Sequence, residues 1–317
     1  MTWAMAGIGL AVLLAACSAF FIRRRKRESN RRWSWADNWS VWDREKLKKV
    51  LQEEEPDKGA AKFLEILPSL DQEETDWWRK TLQELGWEAF FITSLTGPAK
   101  EERLMAIEML GFIDGPNSLW PLMNALSDKD DGIRFAAAAS LKKLSDPRLL
   151  GVLIDALEVP ERWLPARVAE VLIATGSRGA RALAEAFPFS RGPAKKMMLE
   201  ILGEIGDESS FPILLEGLKD PDASIRARAL KSLGQLGEEK AIPYLERALA
   251  AAEWEVRGEA ASALGRLQAT GAVSRLEKLM EDEDWRVRAK AAKALEQISY
   301  RTSEYSLRNG VHPFGSR

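Results

Sequence analysis

The sequence predicts an all-α chain: an α-solenoid of αα repeats of about 31 residues, preceded by one transmembrane helix. Three observations predict it. A run of 21 residues near the start carries no charge. Leucines recur in steps of 30 or 31 residues over more than half of the chain. Between them, apolar residues return at the three- and four-residue spacing of amphipathic helices.

The uncharged run is Thr2 to Ile22, TWAMAGIGLAVLLAACSAFFI. As a helix it would measure about 31 Å, enough to cross a bilayer core. No basic residue precedes it, whereas Arg23, Arg24, Arg25, Lys26 and Arg27 follow at once. Short basic flanks stay in the cytoplasm, so the N-terminus is expected outside and everything after residue 22 in the cytoplasm of a bacterial cell membrane. Trp33, Trp35, Trp39 and Trp42 suit the headgroup zone, where an apolar ring with one N–H donor is at home. Leu14-Ala15-Ala16-Cys17 is similar to a bacterial lipobox. The basic leader is missing and the apolar run continues past Cys17, so the reading is an uncleaved anchor, with lipidation at Cys17 the alternative.

The expected organisation is an anchor at 1–22, a basic and Trp-rich juxtamembrane segment at 23–55, and degenerate leading helices that cap the stack at 56–96. The solenoid occupies 97–298 and a flexible tail 299–317. The leading helices are read at Lys62–Leu67, Trp77–Leu85 and Trp87–Leu95.

In the solenoid the leucine column is Leu110, Leu141, Leu172, Leu202, Leu233, Leu264 and Leu295. Seven residues earlier stands a second column: Arg103, Arg134, Pro165, Lys195, Arg226, Arg257 and Arg288. Small residues such as Ala137, Ala229, Ala260 and Ala291 lie between the columns, and Gly111, Gly203, Gly234 and Gly265 follow the leucine. Each unit reads as a short first helix, as at 241–249 with Pro243 in its first turn, and a second helix, as at about 223–236. The turn Lys219-Asp-Pro-Asp222 joins such a pair. One pair alone cannot bury its apolar faces, so stacked pairs share a core.

This pattern, an aspartate, then Ile or Val before Arg, then small residues, then Leu-Gly, resembles HEAT repeats. It is closest to the short, regular class named after phycobilisome lyases. The match covers about 97–298 and weakens where Pro165 and Lys195 stand in the arginine column. The resemblance implies that column aspartates and arginines form a ladder between adjacent repeats; Asp128, Asp220 and Asp282 sit six residues before Arg134, Arg226 and Arg288. These charges are expected to orient repeats and not to do chemistry.

Charge and composition limit the function. The chain is net −2, and the residues after position 32 carry 39 basic and 47 acidic side chains, net −8. That balance argues against nucleic-acid binding. Cys17 is the only cysteine and His312, in a Gly/Pro-broken tail, the only histidine, so no cofactor, metal site or catalytic set is expected and the chain is read as no enzyme. Trp254 and Trp285, 31 apart, are expected to pack in the inter-repeat seam, with an aromatic platform the alternative.

What remains is recognition through the concave face lined by the second helices. Positions two, five and nine after the arginine column should line it. The N-terminal side carries Glu108, Glu170, Glu200 and Glu204, with Lys143 and Arg167 among them; the C-terminal end carries Arg228, Lys231, Arg266, Lys290 and Lys293, with Glu259 among them. The expected function is a membrane-anchored cytoplasmic scaffold whose basic residues Arg228, Lys231, Arg266, Lys290 and Lys293 bind a protein with an acidic surface. The resemblance also implies an alternative, an accessory factor or catalyst of the phycobilisome-lyase type acting on a chromophore-bearing protein.

Overall fold

The computed structural model describes residues 44–161 and 164–308, with side chains through 299. The expected span at 2–22, the cluster Arg23–Arg27, Trp33 to Trp42 and His312 lie outside the described residues. Among the described residues there is no strand, and no helix is long and apolar enough to cross a membrane. The chain divides into two compact units, Met1–Ser118 and Leu119–Arg317.

The first unit holds α1 (Arg44–Glu53), α2 (Pro56–Ile66), α3 (Gln72–Glu84), α4 (Trp87–Ser94) and α5 (Lys100–Ile113). Asp71 starts α3 with a capping box: its carboxylate accepts the Glu74 N–H while the Glu74 side chain accepts the Asp71 N–H. An aromatic cluster forms the core. Phe63 on α2 lies 4.9 Å from Trp78 on α3 and 4.7 Å from Phe112 on α5, and Phe63 and Trp78 are fully buried. At the end of α5, Arg79 Nε and Gln83 Nε2 donate to the carbonyls of Phe112 and Ile113 at 3.0 and 2.8 Å, satisfying helix-end acceptors that would otherwise be bare. Glu88 is buried and accepts from Asn117 N, at 2.8 Å, and Ser118 Oγ, at 3.0 Å.

The second unit continues with α6 (Leu119–Ala125), α7 (Asp131–Leu141), α8 (Leu149–Leu157), α9 (Pro165–Ala174), α10 (Ser177–Ala186) and α11 (Gly192–Ile205). It ends with α12 (Phe211–Gly217), α13 (Ala223–Leu236), α14 (Ile242–Ala248), α15 (Trp254–Arg266), α16 (Val273–Lys278) and α17 (Trp285–Arg308). Even-numbered helices are the short first members of each pair and odd-numbered ones the second members. Aspartates start several second helices: Asp130 accepts the N–H groups of Gly132 and Ile133, and Asp222 that of Ser224. Gly206 and Gly237, at φ 68° and 83°, end α11 and α13 in the left-handed region that glycine adopts without strain.

Second helix packs on second helix through the leucine and the glycine after it. Leu141, Leu172, Leu202, Leu233 and Leu264 are fully buried, and Leu295 of α17 is half-buried. A Cβ added to Gly203, Gly234 or Gly265 would stand 2.8, 2.7 and 2.6 Å from the nearest atom of the next second helix, at Ser232, Ala263 and Gln297. The glycine column is therefore what lets these backbones come so close. Ser232 occupies the seam position held by Ala263 and Ala294 one and two repeats on, and its Oγ is buried without a hydrogen-bond partner. Ser232→Ala should therefore raise stability by about 1 kcal/mol, because it removes an unsatisfied buried hydroxyl at no packing cost. An increased midpoint in a denaturant melt is the check.

Several boundaries differ from the sequence reading: α1 forms within the segment assigned as juxtamembrane, and α2 and α3 begin at Pro56 and Gln72 where Lys62 and Trp77 were expected. Helix α17 runs on to Arg308, through residues assigned to the tail, because no glycine or proline interrupts the chain between 285 and 308.

Candidate functional site

Two surfaces of the second unit carry the residues singled out in the sequence. The first is the turn edge, where each first helix passes to its second. The column arginines hold their own turn: Arg134 Nη1 donates to the Asp128 carbonyl at 2.6 Å, Arg226 Nη1 to those of Asp220 and Pro221 at 2.9 Å each, and Arg288 Nη1 to that of Asp282 at 2.7 Å. The column aspartates fold the same turns, their Oδ1 atoms accepting the N–H two residues on: Asp130 for Asp128, Asp222 for Asp220 and Asp284 for Asp282.

The ladder between repeats uses a carboxylate of the following turn, an aspartate in two rungs and Glu253 in the third. Lys195 Nζ reaches Asp220 Oδ2 at 3.2 Å. Arg226 Nη2 reaches Glu253 at 2.8 Å. Arg257 grips Asp282 side-on, Nε to Oδ2 and Nη2 to Oδ1, both at 2.8 Å, and its Nη1 donates to the carbonyls of Ala251 and Ala252. Hydrogen bonding from Arg257 holds the Asp282 carboxyl below its ordinary pKa, and bonding to Asp282 raises the guanidinium above its own. Arg286, bound to Asp284, holds that carboxyl at about 2 and lies 3.3 Å over the Trp254 ring. Trp285, at the equivalent place one repeat later, is 67% exposed, so the expected seam packing is absent there.

The second surface is the face of the second helices. Here the structure joins residues the sequence assigned to opposite ends. Glu200 of α11 accepts from both Arg228, at 2.8 Å, and Lys231, at 3.1 Å, of α13. Glu259 of α15 accepts from Lys290 of α17 at 2.6 Å. Glu170 of α9 accepts from Lys142 of α7 at 2.7 Å and from Arg167 at 2.8 Å, and Arg167 stacks at 4.0 Å over Phe135. Burial raises the Glu170 carboxyl's pKa, but the two cations prevail and hold it below its ordinary value. Arg266 and Lys293 are exposed and make no ion pair among the described residues. They flank the contact of Gly265 with Ala294, where α15 and α17 come closest.

Lys142 escaped the sequence reading because it stands eight residues after the column, a position the reading left out. With that position included, the second-helix face of this unit has eight basic side chains against five acidic ones, and the basic excess lies in its last three repeats. In the first three repeats of the unit Lys142, Lys143 and Arg167 balance Glu170, Glu200 and Glu204, so that end is neutral and not acidic.

No curated protein matches the chain in sequence. Among solved structures, human deoxyhypusine hydroxylase in complex with glycerol is 21% identical, with a TM-score of 0.35 over 77% of this chain and 97% of that one. The complex of CpcE and CpcF of phycocyanin lyase from Nostoc sp. PCC7120 is 21% identical, with a TM-score of 0.32 over 67% and 94%. A designed armadillo repeat protein in complex with the peptide (KR)4 is 16% identical, with a TM-score of 0.34 over 66% and 98%. The sequence profile of HEAT repeats matches residues 88–174, 190–253 and 246–309. More than half of the chain thus fits the profile, and the protein belongs to the HEAT-repeat family.

Proposed function

We propose that the protein is a membrane-anchored scaffold whose repeats lie in the cytoplasm and whose second-helix face binds a protein partner with an acidic surface. The observation that carries the binding reading is the charge of that face. Eight basic side chains oppose five acidic ones on a chain that is net −8 after residue 32. Successive repeats place these charges on one surface, where their fields add. Glu200 and Glu259 tie down three of the cations, which keeps them ordered, while Arg266 and Lys293 stand exposed for a ligand. HEAT repeats are a protein-binding architecture, and the reading assigns the chain no catalytic step. The anchor rests on the sequence: an uncharged run at 2–22 with all its nearby basic residues behind it.

Co-purification in mild detergent tests the face. Reversing charge at Arg228, Lys231, Arg266, Lys290 and Lys293 should abolish partner capture while the helical signal stays unchanged, and capture by the unaltered chain should weaken with salt. Retention of the same partners by the variant at low and high salt would reduce the face to a solvated surface. A C-terminal reporter should be active only in the cytoplasm; activity outside overturns the topology, and lipid labelling lost in Cys17→Ser would replace the spanning helix by a lipid anchor. A chromophore bound to the purified protein would favour the lyase-like alternative.

A further inference from the structure

The ladder at the turn edge has a regular spacing and one broken place. A column cation reaches the carboxylate 25 residues on in Lys195–Asp220 and Arg257–Asp282, and the one 27 residues on in Arg226–Glu253. For Arg134 the residue 25 on is Val159, which has no carboxylate to offer. The residue 27 on is Glu161, and no ion pair joins it to Arg134.

Arg134 shows what is missing. Its Nη1 binds the Asp128 carbonyl, as in other repeats, and its Nη2 turns back to Asp131 on its own helix. Its Nε is buried without an acceptor. In Arg257 the same Nε and Nη2 edge is the one that grips Asp282. Beside Arg134 lies a cavity of about 340 Å³, also lined by Lys129, Pro160, Glu161 and Leu164.

Apolar side chains surround this gap. Counted from the arginine column, Val159 and Phe189 both stand where Asp128, Asp220 and Asp282 stand in their repeats. Val159 is 37% exposed, Leu164 46% and Phe189 89%. The two turns are neighbours, since Arg191 N donates to Glu158 Oε1 at 3.3 Å. Two consecutive repeats thus give up the acid that would order the stack and show hydrocarbon to solvent instead. Neither exchange stabilises the folded chain: one leaves a buried guanidinium donor unsatisfied and the other exposes a phenyl ring.

We propose that this turn edge binds a protein segment in which a carboxylate side chain lies beside bulky apolar ones. The carboxylate takes the Nε and Nη2 edge of Arg134 in the manner of Asp282 on Arg257, completing the absent rung. The apolar side chains cover Leu164, Val159 and Phe189. The site is separate from the second-helix face and shares with it only the premise that the stack binds protein. Glu161 faces the same cavity and opposes a bound acid, so it sets a limit on affinity.

The test begins with the purified full chain panned against a random peptide display library. A fluorescein-labelled copy of the enriched peptide, and a second copy with its acid replaced by the amide, are then titrated. The expected peptide carries Asp or Glu next to Leu, Phe or Ile, and the amide copy binds at least about tenfold more weakly. Val159→Asp restores the internal carboxylate, so it should keep or raise the melting temperature and weaken the peptide at least about tenfold. Phe189→Ser, at a side chain too exposed to matter for folding, should weaken it as well, and Glu161→Gln should tighten it. The proposal is overturned by enriched peptides without an acid, equal binding by the chain and its Val159→Asp variant, a lower melting temperature for Glu161→Gln, or self-association that Val159→Asp abolishes. Loss of the peptide in the five-site face variant but not in Val159→Asp would also overturn it, and would leave the face reading intact.

Discussion

Leu233→Ala should lower the stability of the purified chain by about 2–5 kcal/mol, the range found for core leucines that leave a cavity behind. Leu233 is fully buried where α13 meets the second helices on both sides, α11 and α15. The glycine column holds those backbones near contact, so the site has little room to collapse around a lost isobutyl group. Lys231→Ala, two residues away, is the comparison. Its ammonium shares Glu200 with Arg228, and both partners are about 30% exposed, so its loss should cost under about 0.5 kcal/mol. Denaturant melts of the two variants separate the cases. Equal losses would mean that α13 presents the opposite face to its neighbours.

The repeat was legible because a stacked array writes the same packing problem many times. Leucine in one column and glycine after it mark a seam, and α13, expected at about 223–236, forms at Ala223–Leu236. The arginine column was legible as a column but not as a set of bonds. A six-residue interval suggests that Asp220 and Arg226 meet, yet Arg226 binds the Asp220 carbonyl while the carboxylate faces Lys195 of the repeat before. That pairing depends on the offset between stacked helices, which no single repeat encodes. The same holds on the second-helix face: Glu200 belongs by sequence to an acidic side, and only the 28- and 31-residue reach to Arg228 and Lys231 makes it part of the basic one. The departures at Pro165 and Lys195 were visible in the register. Their meaning at Val159 and Phe189 required the ladder's true spacing.

Asp282→Ala should cost about 1–3 kcal/mol, the price of leaving a buried charged donor without its partner. Arg257 is only 8% exposed and loses both of its bonds to the carboxylate. The loss stays below that of a fully stranded charge, because Nη1 keeps the Ala251 and Ala252 carbonyls and Nη2 keeps Glu283 at 3.4 Å. The pair also sets a pH dependence. Bonding to Arg257 places the Asp282 pKa below its ordinary value of 3.8 in the folded chain, so its contribution is complete above about pH 4. It falls away as the pH drops through the lowered value. Asp284, held at about 2 by Arg286, and Asp222, lowered by its bonds from Ser224, lose their contributions in the same direction. Stability should therefore decline between about pH 4 and pH 2, and Asp282→Ala should flatten that decline. The comparison is made with urea melts at fixed pH steps across the interval. A variant whose loss relative to the natural chain stays constant down to pH 2 would show that Asp282 keeps its proton equilibrium on folding, and the Arg257 rung would then contribute packing and not charge.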